Sequence, residues 1–316
     1  MKHDAKTAIL MVSYNKAKIL DICLSAIDKS VDKKLFDVYV IDNGSTEDIK
    51  SIAREHNAHY TRNEKNNFVS RALNDEFFDQ NISKKYKYAV FMANDVLVDK
   101  NTFIEMVTFM ESTEKVAITG PVHFEWNSQI PRSRGLTIHP LTSLLVNFMD
   151  DKPEHRINHF HSIYLIRCKE FSRVGGFNHT LFPMIFEEPD VGERILALGY
   201  EARCTMKANI WHPIEPENTA AEATTVDIRQ DRLYSNKPKA YLFFRNRILY
   251  MALYSRWWQL LTFIFVLNPL IFFYYLPTIK KRDIIYAVTG VIDGLIFSLT
   301  KSSSYIAKRN KRVLDI

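Results

Sequence analysis

Short runs of apolar residues alternate with segments of helical periodicity over the first 120 residues. The apolar runs predict strands at residues 7–14, 36–43, 58–63, 88–95 and 116–122. Apolar residues spaced three and four apart predict intervening helices, for example over residues 46–57, 67–78 and 100–112. This alternation is typical of βαβ units, which build a mostly parallel sheet that is buried on both faces.

Polar residues follow three of the predicted strands. They are Tyr14 and Asn15 after the first strand, Asp42 and Asn43 after the second, and Asn94 and Asp95 after the fourth. Sheets of this kind bind ligands at the carboxyl ends of their strands, so these residues predict a site. A dinucleotide-binding domain would carry a glycine fingerprint after its first strand. Residues 13–19 contain no glycine, which disfavours a hydride-transfer enzyme.

The middle of the chain is less regular. Residues 121–165 mix polar, aromatic and proline positions, and we expect loops and short strands that cover a cleft. Residues 161–178 predict a further strand, a short helix and a turn at Gly175-Gly176. Residues 186–200 predict a helix with an acidic first turn that ends at Gly199.

Six segments together resemble the family 2 glycosyltransferases, in the order and at the spacing of that family. They are residues 8–27, 38–49 (VYVIDNGSTEDI), 66–74 (NNFVSRALN), 92–96 (MANDV), 174–178 (VGGFN) and 186–200 (FEEPDVGERILALGY). The resemblance extends from about residue 6 to residue 213. It implies an α/β fold of the GT-A type, a Rossmann-like and mostly parallel mixed sheet flanked by helices.

The resemblance also implies a binding site for a nucleoside diphosphate sugar. Asp42 corresponds to the acid that holds the base and ribose of the donor. The other residues expected at the donor site on this basis are Tyr14, Asn15, Asn43, Asn67, Arg71 and Asn94. Asn67 stands where the family usually has glycine, and Arg71 would add positive charge near the phosphates.

Asp95 corresponds to the last acid of the family's Asp-x-Asp motif, which orients a divalent cation on the diphosphate. Ala93 stands in place of the first acid, and His212 resembles a downstream histidine that approaches the same metal. A diphosphate leaves readily only when its charge is neutralised, and Mn²⁺ or Mg²⁺ with oxygen ligands can do this. A single carboxylate at the strand end predicts a weaker, partly water-filled coordination shell.

Sugar transfer with inversion needs one base to take the proton of the acceptor hydroxyl. The family's acidic pattern maps onto Glu187, Glu188, Asp190 and Arg194. The resemblance makes Glu188 the base and Glu187 the alternative, while Asp190 and Arg194 would pair one turn apart and support the helix. Because these acids lie in a first helical turn, the helix dipole is expected to keep them ionised.

Charge and hydropathy indicate a membrane partner at the C terminus. The chain carries a net charge of +6, and the basic clusters at residues 280–282 and 308–312 lie among apolar residues. This pattern favours an anionic membrane surface and disfavours nucleic acid. Residues 257–277 carry no charge and are long enough to span a bilayer. A spanning hairpin would place residues 280–282 outside, against the positive-inside rule, so a monotopic anchor with proline-broken helices is predicted.

Three regions are predicted: a GT-A nucleotide-sugar-binding and catalytic domain over residues 1–215, a linker over residues 216–240, and a helical membrane-association region over residues 241–316. A soluble helical pair packed on the catalytic domain is the alternative for the last region. Cys23, Cys168 and Cys204 are odd in number and lack metal-type spacing, which predicts reduced thiols. Without a signal peptide pattern, the expected location is the cytoplasmic face of the plasma (inner) membrane, peripheral or monotopic.

The resulting prediction is an inverting, metal-dependent glycosyltransferase that extends a lipid-linked glycan. Its resemblance to rhamnosyltransferase-like enzymes of bacterial surface polysaccharides implies capsule, lipopolysaccharide or cell-wall assembly. The alternative is a non-catalytic, membrane-associated partner of a glycan assembly complex, which the departures at Asn67, Ala93 and Glu188 favour. A nucleotidyltransferase would need a loop rich in glycine and lysine after the first strand, and residues 11–19 are not of that kind.

Overall fold

The computed structural model describes residues 7–32, 34–126, 128–150, 152–212 and 237–315. These residues form two compact units. The first consists of the described residues within Met1–Thr137, Val146–Phe177 and Val191–Glu215, and the second of those within Ile138–Leu145, Asn178–Asp190 and Pro216–Ile316. Most of the predicted linker, up to residue 236, lies outside the described residues. The three-region division therefore stays a prediction.

The first unit is built on one large mixed sheet. Its strands are β1 (Thr7–Ser13), β2 (Phe36–Asp42), β3 (His59–Arg62), β4 (Tyr88–Ala93), β5 (Leu97–Val98), β6 (Val116–Phe124) and β7 (Pro131–Ser133), then β10 (Ile163–Arg167) and β11 (Glu201–Trp211). Two short strands, β8 (Leu136–Ile138) and β9 (Leu145–Asn147), lie outside this sheet.

Strand pairing brings the predicted polar strand ends to one edge of the sheet. The order is β3-β2-β1-β4-β10-β6-β11-β5, and β7 pairs with β6. Strands β3, β2, β1 and β4 are parallel, whereas β10 is antiparallel to both β4 and β6. Ser13 is in register with Asp42 of β2, and Val12 with Ala93 of β4. The carboxyl ends of β2 and β4 therefore flank that of β1.

Helices connect these strands and cover the sheet. They are α1 (Ala17–Ser30), α2 (Ile49–Glu55), α3 (Phe68–Asp79), α4 (Ile82–Lys85), α5 (Thr102–Ser112), α6 (Cys168–Arg173) and α7 (Glu187–Leu196). Alternate residues of β1 pack into two separate cores, with Ile9 and Met11 in one and Ala8 and Leu10 in the other. Both faces of the sheet are therefore buried, as the apolar runs predicted.

The second unit contains the C-terminal helices. They are α8 (Lys237–Tyr254), α9 (Trp257–Thr262), α10 (Asn268–Tyr275), α11 (Ile284–Thr300) and α12 (Ser303–Leu314), with a π-helical turn at Phe263–Leu267 between α9 and α10. Pro269 lies at the start of α10, directly after the π-helical turn, where the helix that began at Trp257 continues with an irregularity of its backbone. The predicted proline-interrupted apolar segment is present. The core of the second unit includes Phe182, Leu249, Tyr250, Phe297 and Ile306.

Two helical segments among the described residues are long and apolar enough to cross a membrane. They are Trp257–Tyr275, with 19 residues, and Lys281–Thr300, with 20, each at a mean hydropathy of 1.5. Core helices of water-soluble proteins reach similar values, so burial is the more informative quantity. Only 11% of the first segment and 33% of the second is buried, which leaves large apolar surfaces exposed.

Candidate active site

Asp42 ends β2 and is fully buried within the first unit. Its Oδ1 accepts a hydrogen bond of 2.8 Å from the Ser45 amide, and its Oδ2 accepts one of 2.8 Å from the Tyr60 hydroxyl. The same Oδ2 forms an ion pair with Arg62, the last residue of β3. A turn alone would need only the amide bond. The bonds from β3 hold the carboxylate in one orientation.

Asn43 joins the end of β2 to the segment that precedes α3. Its Oδ1 accepts hydrogen bonds from Asn63 Nδ2 at 2.9 Å and from the Asn67 amide at 3.0 Å. Asn67 has a φ of −90°, which any residue adopts, and the left-handed conformation falls instead on Phe68, with a φ of 60°. Asparagine in place of the family's glycine therefore causes no backbone strain at position 67.

The turn between β1 and α1 contains two consecutive left-handed residues, Asn15 with a φ of 57° and Lys16 with a φ of 62°. The Asn15 amide donates to Ser45 Oγ at 2.8 Å. The Glu47 carboxylate accepts from the amides of Lys16, at 3.1 Å, and Ala17, at 2.7 Å, and so caps the start of α1. Strain that is held in this way is common at functional sites.

Asp95, two residues beyond β4, is placed between two nitrogen-bearing side chains. Its Oδ2 lies 3.1 Å from Lys16 Nζ, and its Oδ1 lies 3.2 Å from His212 Nε2. Burial acts to raise the pKa of Asp95, but the hydrogen bond and charge of His212, together with Lys16, lower that pKa well below its usual range. The carboxylate is therefore ionised at neutral pH and faces a charged environment, which a simple turn residue would lack.

The remaining donor-site residues are less closely tied to these carboxylates. Asn94 is buried and donates to Ser13 Oγ at 3.1 Å, while Tyr14 is half exposed. Arg71 lies on the exposed side of α3, and its ion pair is with Asp75 on the same helix, at 3.4 Å. A role for Arg71 at the phosphates stays a prediction.

The predicted acids at the start of α7 belong to the second unit. Asp190 accepts a hydrogen bond of 2.6 Å from the Tyr254 hydroxyl of α8. Burial and the charge of Asp190 raise the pKa of Glu187 to about 7, although backbone hydrogen bonds oppose this. Burial and the charge of Glu187 raise the pKa of Glu188 well above its ordinary value. The prediction that the helix dipole keeps both carboxyls ionised is wrong, because burial and like charge outweigh it.

Arg194, in the part of α7 that belongs to the first unit, secures the turn after α6. It donates to the carbonyls of Val174 at 2.7 Å and Gly176 at 2.8 Å. Asn74 of α3 holds the same turn, since its Oδ1 accepts from the Phe177 amide at 2.9 Å and its Nδ2 donates to the Phe177 carbonyl at 2.8 Å. Three of the segments that suggested the family thus meet here. The predicted pairing of Arg194 with Asp190 stays a prediction.

Comparison with known proteins identifies the family. The model of glycosyl transferase family 2 matches residues 8–170, more than half of the 316 residues. The chain belongs to glycosyl transferase family 2. The match includes Asp42 and Asp95, whereas Glu187, Glu188 and His212 lie beyond it.

Solved structures share the fold of this family 2 chain at low sequence identity. GalNAc-T7 with UDP, GalNAc and Mn²⁺ has a TM-score of 0.57 and 13% identity, over 78% of this chain and 51% of that one. This chain thus spans about half the length of GalNAc-T7. Mannosyltransferase PcManGT from Pyrobaculum calidifontis, in complex with GDP-Man and Mn²⁺, has a TM-score of 0.52 and 14% identity, over 99% of this chain and 88% of that one. S. aureus TarS 1–349 with UDP-GlcNAc has a TM-score of 0.52 and 13% identity, over 97% of this chain and 92% of that one.

These likenesses concern the fold, and with the family match they confirm the predicted GT-A architecture. A comparison with curated protein sequences gives no match.

The donor set at Asp95 suits a divalent cation that takes few ligands from the protein. Asp95 offers carboxylate oxygens. His212 Nε2 is paired with Asp95 Oδ1 in this structure and becomes a ligand once it gives up its proton, while Nδ1, 3.0 Å from Ser162 Oγ, can keep the other ring proton and donate to that hydroxyl. Among the described residues, no three His, Cys, Asp or Glu side chains come together as a metal-binding group. The family 2 site therefore fits Mn²⁺ or Mg²⁺ when diphosphate oxygens and water complete the shell.

Several residues of this site were not predicted from the sequence, among them Lys16, Tyr60, Arg62 and Ser162. Lys16 follows β1 and Arg62 ends β3, so both obey the strand-end rule that pointed to Asp42 and Asp95. Tyr60 and Ser162 carry no comparable signal. Only the pairing of strands brings them to their partners, and pairing register is a tertiary property.

The structure thus places Asp42 and Asp95 at neighbouring strand ends in the first unit, and Glu187 and Glu188 in the second. That all of these carboxyl groups line a single cleft stays a prediction.

Proposed function

We propose that this chain is an inverting glycosyltransferase that moves a hexosyl or deoxyhexosyl group from a nucleoside diphosphate sugar to a hydroxyl of a lipid-linked glycan. One observation carries the proposal: in a chain of glycosyl transferase family 2, a fully buried acid, Asp42, ends β2 and a partly buried acid, Asp95, follows β4, on either side of β1. Parallel sheets bind their ligands at this edge.

Asp42 serves the nucleoside in this proposal. A carboxylate has about four acceptor positions, and Ser45, Tyr60 and Arg62 use three of those of Asp42. Because Asp42 is fully buried, its carboxylate would serve the donor chiefly by fixing the side chains that hydrogen-bond to it. Arg62 is half exposed and lies beside it, so it adds a donor group at the same place.

Asp95 and His212 would hold the divalent cation. When bound, the cation neutralises the charge that develops on the departing diphosphate. Lys16 Nζ, 3.1 Å from Asp95 Oδ2, adds a positive charge on the same side. The positive charge of Lys16 partly compensates for the acid that is missing at position 93, because a site that carries such a charge needs fewer carboxylates to hold the diphosphate.

Glu188 takes the proton of the acceptor hydroxyl, with Glu187 as the alternative. The adjacent carboxyls are half buried, and the raised pKa of Glu187, at about 7, brings a titration of the pair close to neutral pH. A general base works best when its pKa lies near the operating pH. A single displacement with one base inverts the anomeric carbon.

The exposed apolar surfaces of α9, α10 and α11 suit the interface of an anionic membrane. Trp257, Phe265, Phe273 and Tyr274 are all exposed on the first two helices and the π-helical turn between them, and the basic residues 280–282 follow four residues after α10. We therefore place the enzyme at the cytoplasmic face of the plasma (inner) membrane, peripheral or monotopic. A membrane-bound acceptor of capsule, lipopolysaccharide or cell-wall assembly fits this location.

A thermal-shift screen of nucleotide sugars, with and without Mn²⁺, tests donor and metal together. We expect at least one nucleotide sugar to raise the melting temperature, and Mn²⁺ to increase that rise. NMR of the transferred sugar then shows whether its anomeric configuration is inverted. Absence of both binding and donor turnover across the panel would instead support a non-catalytic partner protein.

A further inference from the structure

The turn that precedes Glu187 is strained. Ile185 has a φ of 65° and Phe186 a φ of 75°, so two bulky residues in succession are left-handed. For a β-branched residue such as isoleucine this conformation is a genuine outlier, and strain of this kind persists only where the surroundings hold it. The turn sets the direction in which α7 begins, and hence where its first two carboxyl groups lie.

Asn246 of α8 holds this turn. It is fully buried, and its Nδ2 donates both to the Met184 carbonyl at 2.9 Å and to the Ile185 carbonyl at 2.6 Å. Arg245 Nε donates to Asn246 Oδ1 at 2.9 Å, which fixes the orientation of the amide. Both ends of the Asn246 carboxamide are therefore hydrogen-bonded, Nδ2 to the turn and Oδ1 to Arg245.

The residues before the turn are held by the same network. Arg245, which is fully buried, donates to the Leu181 carbonyl at 2.6 Å and forms a hydrogen bond with Asn310 of α12. Asn310 Nδ2 donates to the Thr180 carbonyl at 2.7 Å. Buried polar networks whose members are satisfied specify one arrangement of the groups they join.

Helix α8 also contacts the chain on both sides of the two acids. The Arg247 guanidinium lies 5.9 Å from the centre of the Phe186 ring, just before them, and the Tyr254 hydroxyl bonds Asp190, just after them. Apolar side chains would fill this space without the desolvation of a buried guanidinium. Polar residues in this part of α8 are explained if the network fixes the position of the turn before Glu187 and does not serve stability alone.

We propose that Asn246 is a positioning residue for the Glu187–Glu188 pair. Through the carbonyls of Met184 and Ile185 it holds the left-handed turn that sets the place of both carboxyl groups. The C-terminal helical region is then part of the catalytic apparatus as well as a membrane anchor. The inference rests on the proposed function, in which Glu188 removes the acceptor proton.

The test compares Asn246→Ala with Tyr305→Phe in the full chain. Tyr305 of α12 donates to Oδ1 of the buried Asp293 at 2.6 Å, so its variant also loses a hydrogen bond within the second unit, but this bond involves neither Arg245, nor Asn246, nor the turn. The donor is whichever of UDP-GlcNAc, UDP-GalNAc, GDP-Man and dTDP-rhamnose stabilises the chain most. Transfer is measured with lipid extract as acceptor, well below the melting temperature of each variant.

Asn246→Ala is expected to lower kcat by about tenfold or more, as misplacement of a reacting group does, and to leave the KM for the donor unchanged. Amide hydrogen exchange should accelerate within residues 184–190. Tyr305→Phe should change neither quantity. A kcat for Asn246→Ala within about twofold of wild type, or an equal loss in both variants, overturns the proposal.

A rescue variant separates position from stability and covers the case in which Asn246→Ala folds poorly. Glycine adopts the left-handed conformation without strain, so Ile185→Gly should recover part of the kcat in the Asn246→Ser background, where one donor remains. If Ile185→Gly and Asn246→Ser each lower kcat and the double variant shows the sum of both losses, the proposal is contradicted. Its failure differs from that of the proposed function: full activity of both Glu188→Gln and Glu187→Gln removes the base assignment, whatever Asn246 does.

Discussion

At the scale of single residues, environment separates carboxyl groups that the sequence presents as equivalent. Asp95 is partly buried beside Lys16 and His212, and its pKa falls well below the usual range. Glu187 and Glu188 are desolvated next to each other, and their pKa values rise. In the proposed function the first kind of group would hold a negative charge for a cation, and the second would accept the proton of the acceptor hydroxyl.

The acidic pair predicts a pH dependence. A base must be deprotonated, so kcat should rise with pH through the titration of the pair. Glu187→Gln removes the charge that raises the pKa of Glu188, so the rising limb should move to lower pH. Measurement of kcat against pH for wild type and variant tests this. A limb that stays in place, or moves to higher pH, contradicts the coupling.

Asp95→Asn should abolish the Mn²⁺-dependent part of the donor thermal shift, because it removes the carboxylate of the cation site. We expect transfer activity to fall by about 100-fold or more, in line with the loss of a charge-stabilising group. Asp99→Asn, four residues further on, is the matched control and should behave as wild type. Retention of the Mn²⁺ effect in Asp95→Asn would place the cation elsewhere.

At the scale of elements, the segment after β2 is held by close backbone approach. Gly44 has a φ of +82°, and a Cβ at this position would lie 2.8 Å from backbone atoms of Lys65. The Asn43 side chain ties the same two segments together through Asn63 and Asn67. The sequence marks Gly44 as a turn residue, but the backbone that excludes a side chain there is that of Lys65, in the connection between β3 and α3.

Gly175 provides the matched comparison for this effect. It has a φ of +77°, and a Cβ there would meet nothing within 4 Å. Both Gly44→Ala and Gly175→Ala strain the backbone, but only the first also clashes. Gly44→Ala should therefore lower the free energy of unfolding by about 2 kcal/mol more than Gly175→Ala. Chemical denaturation measures both values, and equal losses would contradict the steric explanation.

At the scale of the whole molecule, the residues that make up each unit do not follow the order of the chain. Residues 178–190, with the acidic pair, belong with the C-terminal helices, although the sequence places them inside the catalytic domain. The apolar surfaces of those helices and the candidate base therefore belong to one compact unit. If the helices bind a membrane, the candidate base is held at a set distance from the membrane surface. That arrangement suits an acceptor whose reactive hydroxyl lies close to the lipid.

Vesicle flotation tests the membrane prediction. The full chain should bind vesicles with anionic lipids better than neutral ones, and added salt should weaken the binding. Replacing Lys280, Lys281 and Arg282 by Gln should reduce binding by about 1 kcal/mol per residue. Phe273→Ser should weaken binding to both kinds of vesicle, because the ring is exposed. Equal binding to neutral vesicles before and after the basic replacements would remove the electrostatic part of the proposal.

Much of this protein is determined by the sequence alone, because the information is local. Apolar periodicity predicts the strands and helices, and the polar residues that follow parallel strands predict the edge where Asp42 and Asp95 lie. What only the tertiary structure decided depends on residues far apart in the chain: Arg62 and Tyr60 on Asp42, the shifted pKa values of the acids, and Asn246 on the turn before Glu187. Burial and charge act through distance in space, and no local pattern records that distance.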